Sequence, residues 1–249
     1  MVSSPYEQSA GYPRSFHRAM ELHAETPAFR ERVAATKNEV SEIVQEHPRP
    51  RTYVAFSGGK DSTVLLHLAE DCAPGEVACF HWDYGAYLIP RPVEAEILGN
   101  ARSLISPGRI IVRCRPAQRS SRDGHAVGYR AFFATLAMLT KERGWTAGLV
   151  GFRAEESCTR TRRVERAGRE GEWHSGQQCR LFYPLQDWTW RDVYAYLITR
   201  DLPILGVYHA YAELVGYDQA RFVTFFDSEF AALGNANLDG HVLPGFKHL

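Results

Sequence analysis

The chain has 249 residues, of which 45% are hydrophobic and 23% charged, enough to bury a sizeable core in one large α/β domain or a domain with appendages. Its 29 basic and 29 acidic residues balance, so global charge gives no argument for binding nucleic acid or an anionic membrane surface. No stretch approaches the apolar length of a membrane span, and the five cysteines (Cys72, Cys79, Cys114, Cys158, Cys179) are widely spaced without a Cys-x-x-Cys pair. A reduced, cytoplasmic protein without a zinc or iron–sulfur site is the expectation.

Residues 1 to about 14 are polar, contain Pro5 and Pro13, and read as a loose arm. Thr26 before Pro27 is a helix start, and Phe29, Val33, Val40, Ile43 and Val44 then fall near one face, which predicts an amphipathic helix over 27–46. His47-Pro48-Arg49-Pro50 ends it, because each proline disfavours the helical region for the residue before it. Residues 1–50 thus form an arm and a helix ahead of a domain at 51–205, with 206–249 as an aromatic extension packed on it.

Thr52-Tyr53-Val54-Ala55-Phe56 is short, β-branched and aromatic, as a buried parallel strand should be. Ser57-Gly58-Gly59-Lys60-Asp61-Ser62 follows, and from its last residue, Ser62-Thr63-Val64-Leu65-Leu66-His67-Leu68-Ala69 is a breaker-free run apolar nearly all round and hence a buried helix. Strand, glycine turn and helix in that order gather free backbone N–H groups and the positive end of a helix dipole at one point, which suits a phosphate. Gly58 and Gly59 leave no Cβ in the way, Lys60 adds a mobile charge, and Ser57 and Ser62 add hydroxyls. Asp61, itself an anion, is better used as a helix cap, a partner for Lys60 or a magnesium ligand.

Val77–Trp82 is a second buried run, and Asp83 after it should face the same crevice, where a carboxylate binds a ribose hydroxyl or magnesium, unless it only starts a turn. A helix over about 91–103 and a strand over 109–114 follow. Residues 115–128 are polar and aperiodic, placed to be a mobile loop over the site, and Tyr129, Phe132, Phe133 and Leu136 then recur at helical spacing over 128–143. That aromatic stripe reads as core.

A fourth strand over about 146–151 delivers Gly151 and Arg153 to the crevice, where an arginine can clamp a phosphate or sulfate in two-pronged fashion. Arg160, Arg162, Arg163, Arg166 and Arg169 continue the segment among Glu155, Glu156, Glu165 and Glu170. The series permits two uses, recognition of an anionic substrate, nucleic acid included, or a solvated face neutralised by its own glutamates. The second describes the set as a whole; Arg153 and Arg160 are assigned to the first. A fifth strand over 181–185 precedes a helix opened by Thr189 and Asp192 at capping-box spacing. Tyr208, Tyr211, Tyr217, Phe222, Phe225, Phe226 and Phe230 make the remaining stretch aromatic, as a helical cap or an oligomer contact would be.

Ser57-Gly58-Gly59-Lys60-Asp61-Ser62 resembles the pyrophosphate loop of the adenine nucleotide α-hydrolases, or N-type ATP pyrophosphatases (PP-loop proteins). Gly151-Phe152-Arg153-Ala154-Glu155-Glu156-Ser157 and Pro184-Leu185-Gln186-Asp187-Trp188-Thr189 resemble segments of their branch that includes phosphoadenosine phosphosulfate (PAPS) reductase. Asp83-Tyr84-Gly85 matches that branch's Asp-Thr-Gly in part. The resemblance, over roughly 50–205, implies a doubly wound five-stranded parallel sheet, HUP/Rossmann-like, of order 3-2-1-4-5. It also implies an adenine nucleotide across the loop, with Arg153 by its phosphates.

Two reactions follow. ATP with Mg2+ can be cleaved at its α-phosphate, releasing pyrophosphate and adenylylating a second substrate that the sequence leaves open. Alternatively, a thiolate attacks the sulfur of PAPS or its analogue to give sulfite, but the Glu-Cys-Gly-Leu-His segment of the reductases has no counterpart, which leaves Cys158 and Cys179. The first is preferred. A third possibility is a nucleotide-binding subunit that needs a partner protein, or an oligomer, for turnover.

Overall fold

The computed structural model describes residues 11–84, 89–114 and 124–222. Six strands form one sheet in the order β3-β2-β1-β4-β6-β5: β1 Thr52–Ala55, β2 Val77–Asp83, β3 Ile110–Cys114, β4 Ala147–Val150, β5 Glu172–His174 and β6 Cys179–Phe182. The first four strands and β6 are parallel, and β5 runs antiparallel to β6 at the edge. The expected five strands in order 3-2-1-4-5 are therefore corrected to six. The additional strand escapes sequence inspection because it has three residues, Glu-Trp-His, inside a charged segment, and Trp173 stays 60% exposed. Its hairpin turn, residues 175–178, includes Gln178 with positive φ, and Gly171, also with positive φ, leads into β5.

Eight α-helices are described, α1 Arg14–Ala24, α2 Pro27–Glu46, α3 Lys60–Cys72, α4 Arg91–Leu104, α5 Gly124–Arg143, α6 Cys158–Ala167, α7 Trp190–Thr199 and α8 Val207–Val215. Alternation along each strand sorts side chains to two cores. Val54, Val77, Cys79, Leu149 and Phe182 meet the apolar faces of α2, α3, α7 and α8. Tyr53, Phe80, Trp82 and Leu181 meet Leu136, Leu139 and Trp145 on the other side. Burying each of the α3 residues Val64, Leu65, Leu66 and Leu68 contributes about 1.5–3 kcal/mol relative to exposure, which fixes this helix and hence the turn before it.

The helix expected at 27–46 spans Pro27–Glu46, with Thr26 Oγ1 accepting from Phe29 N at 3.3 Å. Helix α1 lies where the sequence predicts nothing. Pro13 sets its start, and the large apolar residues the helix turns to the core are only Phe16 and Met20, Leu22 lying exposed. It becomes stable by packing on α7, with Phe16 against Tyr194 and Tyr217. The residues 1–10, Gly85, 115–123, Phe225, Phe226 and Phe230 lie outside the described residues. Among the described residues no helix is long and apolar enough to cross a membrane.

Asp192 ties these parts together. Thr189 and Asp192 form the expected capping box, with Thr189 N donating to Asp192 Oδ2 at 2.7 Å. The same buried carboxylate pairs with His23 of α1 at 2.8 Å and with Arg32 of α2. Burial opposes its ionisation, but hydrogen bonds from Thr189 and His23 and the charge of Arg32 outweigh it and hold its pKa below the ordinary value. A carboxyl lowered in the folded state contributes stability above its unfolded value of about 3.9, and loses it as pH falls toward the folded value. Urea midpoints should therefore drop more steeply below about pH 4 in the native chain than in Asp192→Asn.

Candidate functional site

β1 ends at Ala55, and Phe56 N still donates to Phe80 O at 2.8 Å, so the chain leaves the sheet at Ser57. The turn is Ser57-Gly58-Gly59, and α3 begins at Lys60 with Gly59 as N-cap, two residues before the start expected at Ser62. The turn is built by its own serines. Ser57 Oγ accepts from Gly59 N at 3.2 Å and lies 3.2 Å from Ser62 Oγ, which donates to Gly59 O at 2.9 Å. Gly58 has φ +80°, and a Cβ there would sit 2.5 Å from Ile97 Cγ1. Gly58→Ala should therefore cost at least about 1–2 kcal/mol by urea denaturation. Gly99→Ala in α4, where a Cβ meets nothing within 4 Å, should be neutral or stabilising.

Beside this turn runs a chain of buried charges. Lys60 is buried, with Nζ 3.2 Å from Asp61 Oδ2 and donating to Ala220 O at 3.3 Å, and it stands over the Tyr208 ring. Asp61 also accepts from Arg153 Nε. Arg153, 1% exposed, pairs in addition with Glu155 and with Glu156, at 3.5 Å from the latter. Glu156 binds Arg160, and Arg221 at 3.1 Å.

The pKa shifts follow. Burial pulls Lys60 below the usual lysine value, against the attraction of Asp61. For Asp61, burial is overcome by the charges of Arg153 and Lys60, so its carboxyl is held far below the usual range. Burial of Arg153 is likewise overcome by its three carboxylates, and its pKa rises.

β4 reaches the turn because residue 151 is glycine: a Cβ there would lie 3.2 Å from the carbonyl carbon of Asp61 and from Ser62 N. The structure thus gathers Ser57, Gly58, Gly59, Lys60, Asp61, Ser62, Gly151, Arg153 and Arg160 at one end of the sheet. Asp83 is placed differently. Trp82 and Tyr84 line the cavity at this end, while Asp83 makes a two-pronged ion pair with Arg91 at the first turn of α4, at 2.7 and 2.8 Å.

The cavity has a volume of about 270 Å³. Ser57 and Gly59 to Ser62 line one end, and Tyr53, Phe80, Phe132, Phe133, Leu136 and Gln177 are among the residues around the rest. Arg160 enters its wall with the guanidinium stacked 4.3 Å over Phe152. Arg163 and Arg166 are engaged by Glu172, and Arg169 by Glu39 and Asp187.

Tyr208 is the site residue that sequence reading missed. Its hydroxyl accepts from Lys60 N at 3.1 Å and from Phe222 N at 3.3 Å, holding the segment through Ala220 and Arg221 against the turn. Nothing local marks it out, since it stands among other aromatic residues and acts across 148 positions. Among the described residues no group of three or more His, Cys, Asp or Glu is arranged to hold a metal, and both Asp61 oxygens face cations of the protein.

Comparison with known proteins adds three findings. A family model described as the phosphoadenosine phosphosulfate reductase domain matches residues 116–236, beginning C-terminal to the Ser-Gly-Gly-Lys-Asp-Ser turn. The chain is 26% identical over 203 residues to the sulfate adenylyltransferase subunit 2 of Mycobacterium sp. (strain KMS) and 25% identical to that of Mycobacterium tuberculosis (strain ATCC 25618 / H37Rv). These alignments take in 71% of this chain and 63% of each relative, so the chain spans less than two thirds of the relatives' length. A solved phosphoadenylyl-sulfate (PAPS) reductase from Candida auris superposes with a TM-score of 0.48 at 15% identity, over 79% of this chain and 91% of that one. The glycine turn of β1–α3, the Gly151–Arg153 segment and these family and sequence matches make the chain similar to the PAPS reductase-like branch of the adenine nucleotide α-hydrolase (PP-loop) superfamily.

Proposed function

We propose that the chain binds ATP with its terminal phosphates on residues 57–62 and transfers the adenylyl group to an acceptor oxyanion. The acceptor oxygen forms a bond to the α-phosphorus, the bond from that phosphorus to the bridging oxygen breaks, and pyrophosphate leaves with the electron pair. Positioning and charge stabilisation are the protein's contribution, by Lys60, Arg153 and the backbone amides at the start of α3. The single observation that carries this proposal is the placement of Lys60 at the first residue of a helix that follows a positive-φ glycine turn, paired with Asp61, which also holds Arg153. Mg2+ arrives with the nucleotide, which supplies most of its oxygen ligands. Asp61 is the carboxylate at this turn that would hold it, in place of its pairing with Lys60.

Sulfate is the first acceptor to test, because the relatives are sulfate adenylyltransferase subunits. Their designation as subunits also supports a partner protein that completes turnover. Purified chain incubated with ATP, Mg2+ and sulfate should release pyrophosphate. Tight ATP binding with no release until a partner is added would favour the subunit role over a self-sufficient enzyme.

Sulfonucleotide reduction stands second. It needs an accessible thiolate, whereas burial pushes Cys79 up to about 12 and Cys179 up to about 11. Cys158 is exposed at the start of α6 and is the thiol to test. Cys158→Ser and Cys179→Ser should keep pyrophosphate release. Sulfite release from PAPS with thioredoxin, abolished by either change, would replace the adenylyl-transfer proposal.

A further inference from the structure

The cavity does not stop at the phosphate-binding turn. It extends along the face of β1 that carries Tyr53, four residues before Ser57, or about 13 Å at strand rise, the length scale of a nucleoside polyphosphate. Gly148 of β4 makes that inner chamber possible. A Cβ there would come within 2.7 Å of the Tyr53 ring and hydroxyl, so the ring lies across the neighbouring strand toward β6.

At its far side stands a polar group that nothing in the phosphate chemistry uses. Gln177, in the turn of the β5–β6 hairpin, is buried, and its Oε1 accepts from the Tyr53 hydroxyl at 2.7 Å, with Cys179 Sγ 4.0 Å away. The carbonyl end of the carboxamide is thus fixed, and the amide N–H2 has no partner among the described residues, in a side chain that lines the cavity. Beside it His174, stacked on Phe133 at 5.1 Å and 14°, also lines the cavity, and its Nδ1 is buried without a hydrogen-bond partner. Burial and the Arg163 charge keep His174 below its ordinary pKa, so at neutral pH it presents a neutral imidazole. Phe80, Phe132 and Leu136 complete apolar walls. Flat apolar walls around a few fixed polar groups are what a planar ring needs.

We infer that this inner chamber receives a planar heteroaromatic ring that offers a hydrogen-bond acceptor to the Gln177 amide, the ring being either the base of the nucleotide or part of the second substrate. The first source rests on the ATP proposal above; the second does not.

The test compares native chain with Gln177→Leu and with Phe133→Ala, the latter because it removes a wall without orphaning the Tyr53 hydroxyl. Calorimetry gives the affinities of ATP and of inorganic triphosphate, and also that of 4-aminoquinazoline in the presence of saturating ATP. If the ring is the base, ATP binds at least about tenfold more tightly than triphosphate, as base–aromatic stacking provides, and both variants erase that advantage while leaving triphosphate unchanged. If the ring belongs to the second substrate, the variants leave ATP and triphosphate alone and abolish quinazoline binding. Native-like affinities for all three probes in both folded variants would overturn the inference, as would failure of native chain to bind quinazoline with ATP and triphosphate bound equally. Failure of the native chain to bind either polyphosphate would instead sink the ATP proposal, and quinazoline binding would still decide the chamber.

Discussion

Replacing Lys60 with methionine is expected to lower kcat/KM for pyrophosphate release by about 10²–10³, the usual loss on removing one preorganised donor from a transition state that gathers negative charge. The effect should fall on catalysis more than on folding. Lys60 is buried, and its pKa already lies below the ordinary value, so the native chain holds a desolvated cation beside the proposed phosphate site at some cost in stability. Methionine fills a similar volume without that charge, and Asp61 keeps its pairing with Arg153. Steady-state kinetics together with thermal denaturation check both halves. Unchanged kcat/KM in a folded Lys60→Met variant would remove the lysine from the chemistry.

Arg153→Gln is expected to act the opposite way, through the fold first. Arg153 holds Asp61, Glu155 and Glu156 at once, and it is as buried as a core residue. Removing it leaves like charges facing one another with only Lys60, Arg160 and Arg221 nearby, and breaking a buried ion pair from one side costs about 3–5 kcal/mol. Urea unfolding should show a loss of that size. Arg153→Lys keeps one charge but not the fork that spans three carboxylates, so it should recover only part of the stability and little activity. A loss below about 1 kcal/mol in Arg153→Gln would mean that the cluster is held by its other members.

The strand, turn and helix around Ser57–Ser62 are legible in the sequence because each is a local signal. A β-branched apolar run, two glycines and a breaker-free apolar run admit few other arrangements. The capping box at Thr189 and the proline-led helix at Pro27 are local in the same sense. What escapes inspection is long-range. Helix α1 gains its order from an aromatic cluster with α7, β5 exists as the edge partner of β6, and Tyr208 reaches Lys60 from the far end of the chain. The charge network is half-legible. Asp61, Arg153 and Glu156 stand out in the sequence, but nothing in their spacing tells that the arginine closes on the protein's own carboxylates. Asp83 illustrates the same limit, since its place at the end of β2 is clear and its pairing with Arg91 is not.

That network also gives the site its resting chemistry. Lys60 and Arg153 are held by Asp61, Glu155, Glu156 and the Ala220 carbonyl, so the proposed triphosphate would compete with partners already in place. Magnesium entering with the nucleotide, as proposed, would favour that exchange by taking up the displaced carboxylate.

The position of bond cleavage tests the account most directly. With ATP labelled at the α-phosphate, the purified chain, Mg2+ and sulfate, the account predicts that label appears in AMP or in an adenylylated acceptor, with one pyrophosphate released per label transferred and both lost in Lys60→Met. Label recovered in ADP, with inorganic phosphate released instead of pyrophosphate, would contradict it.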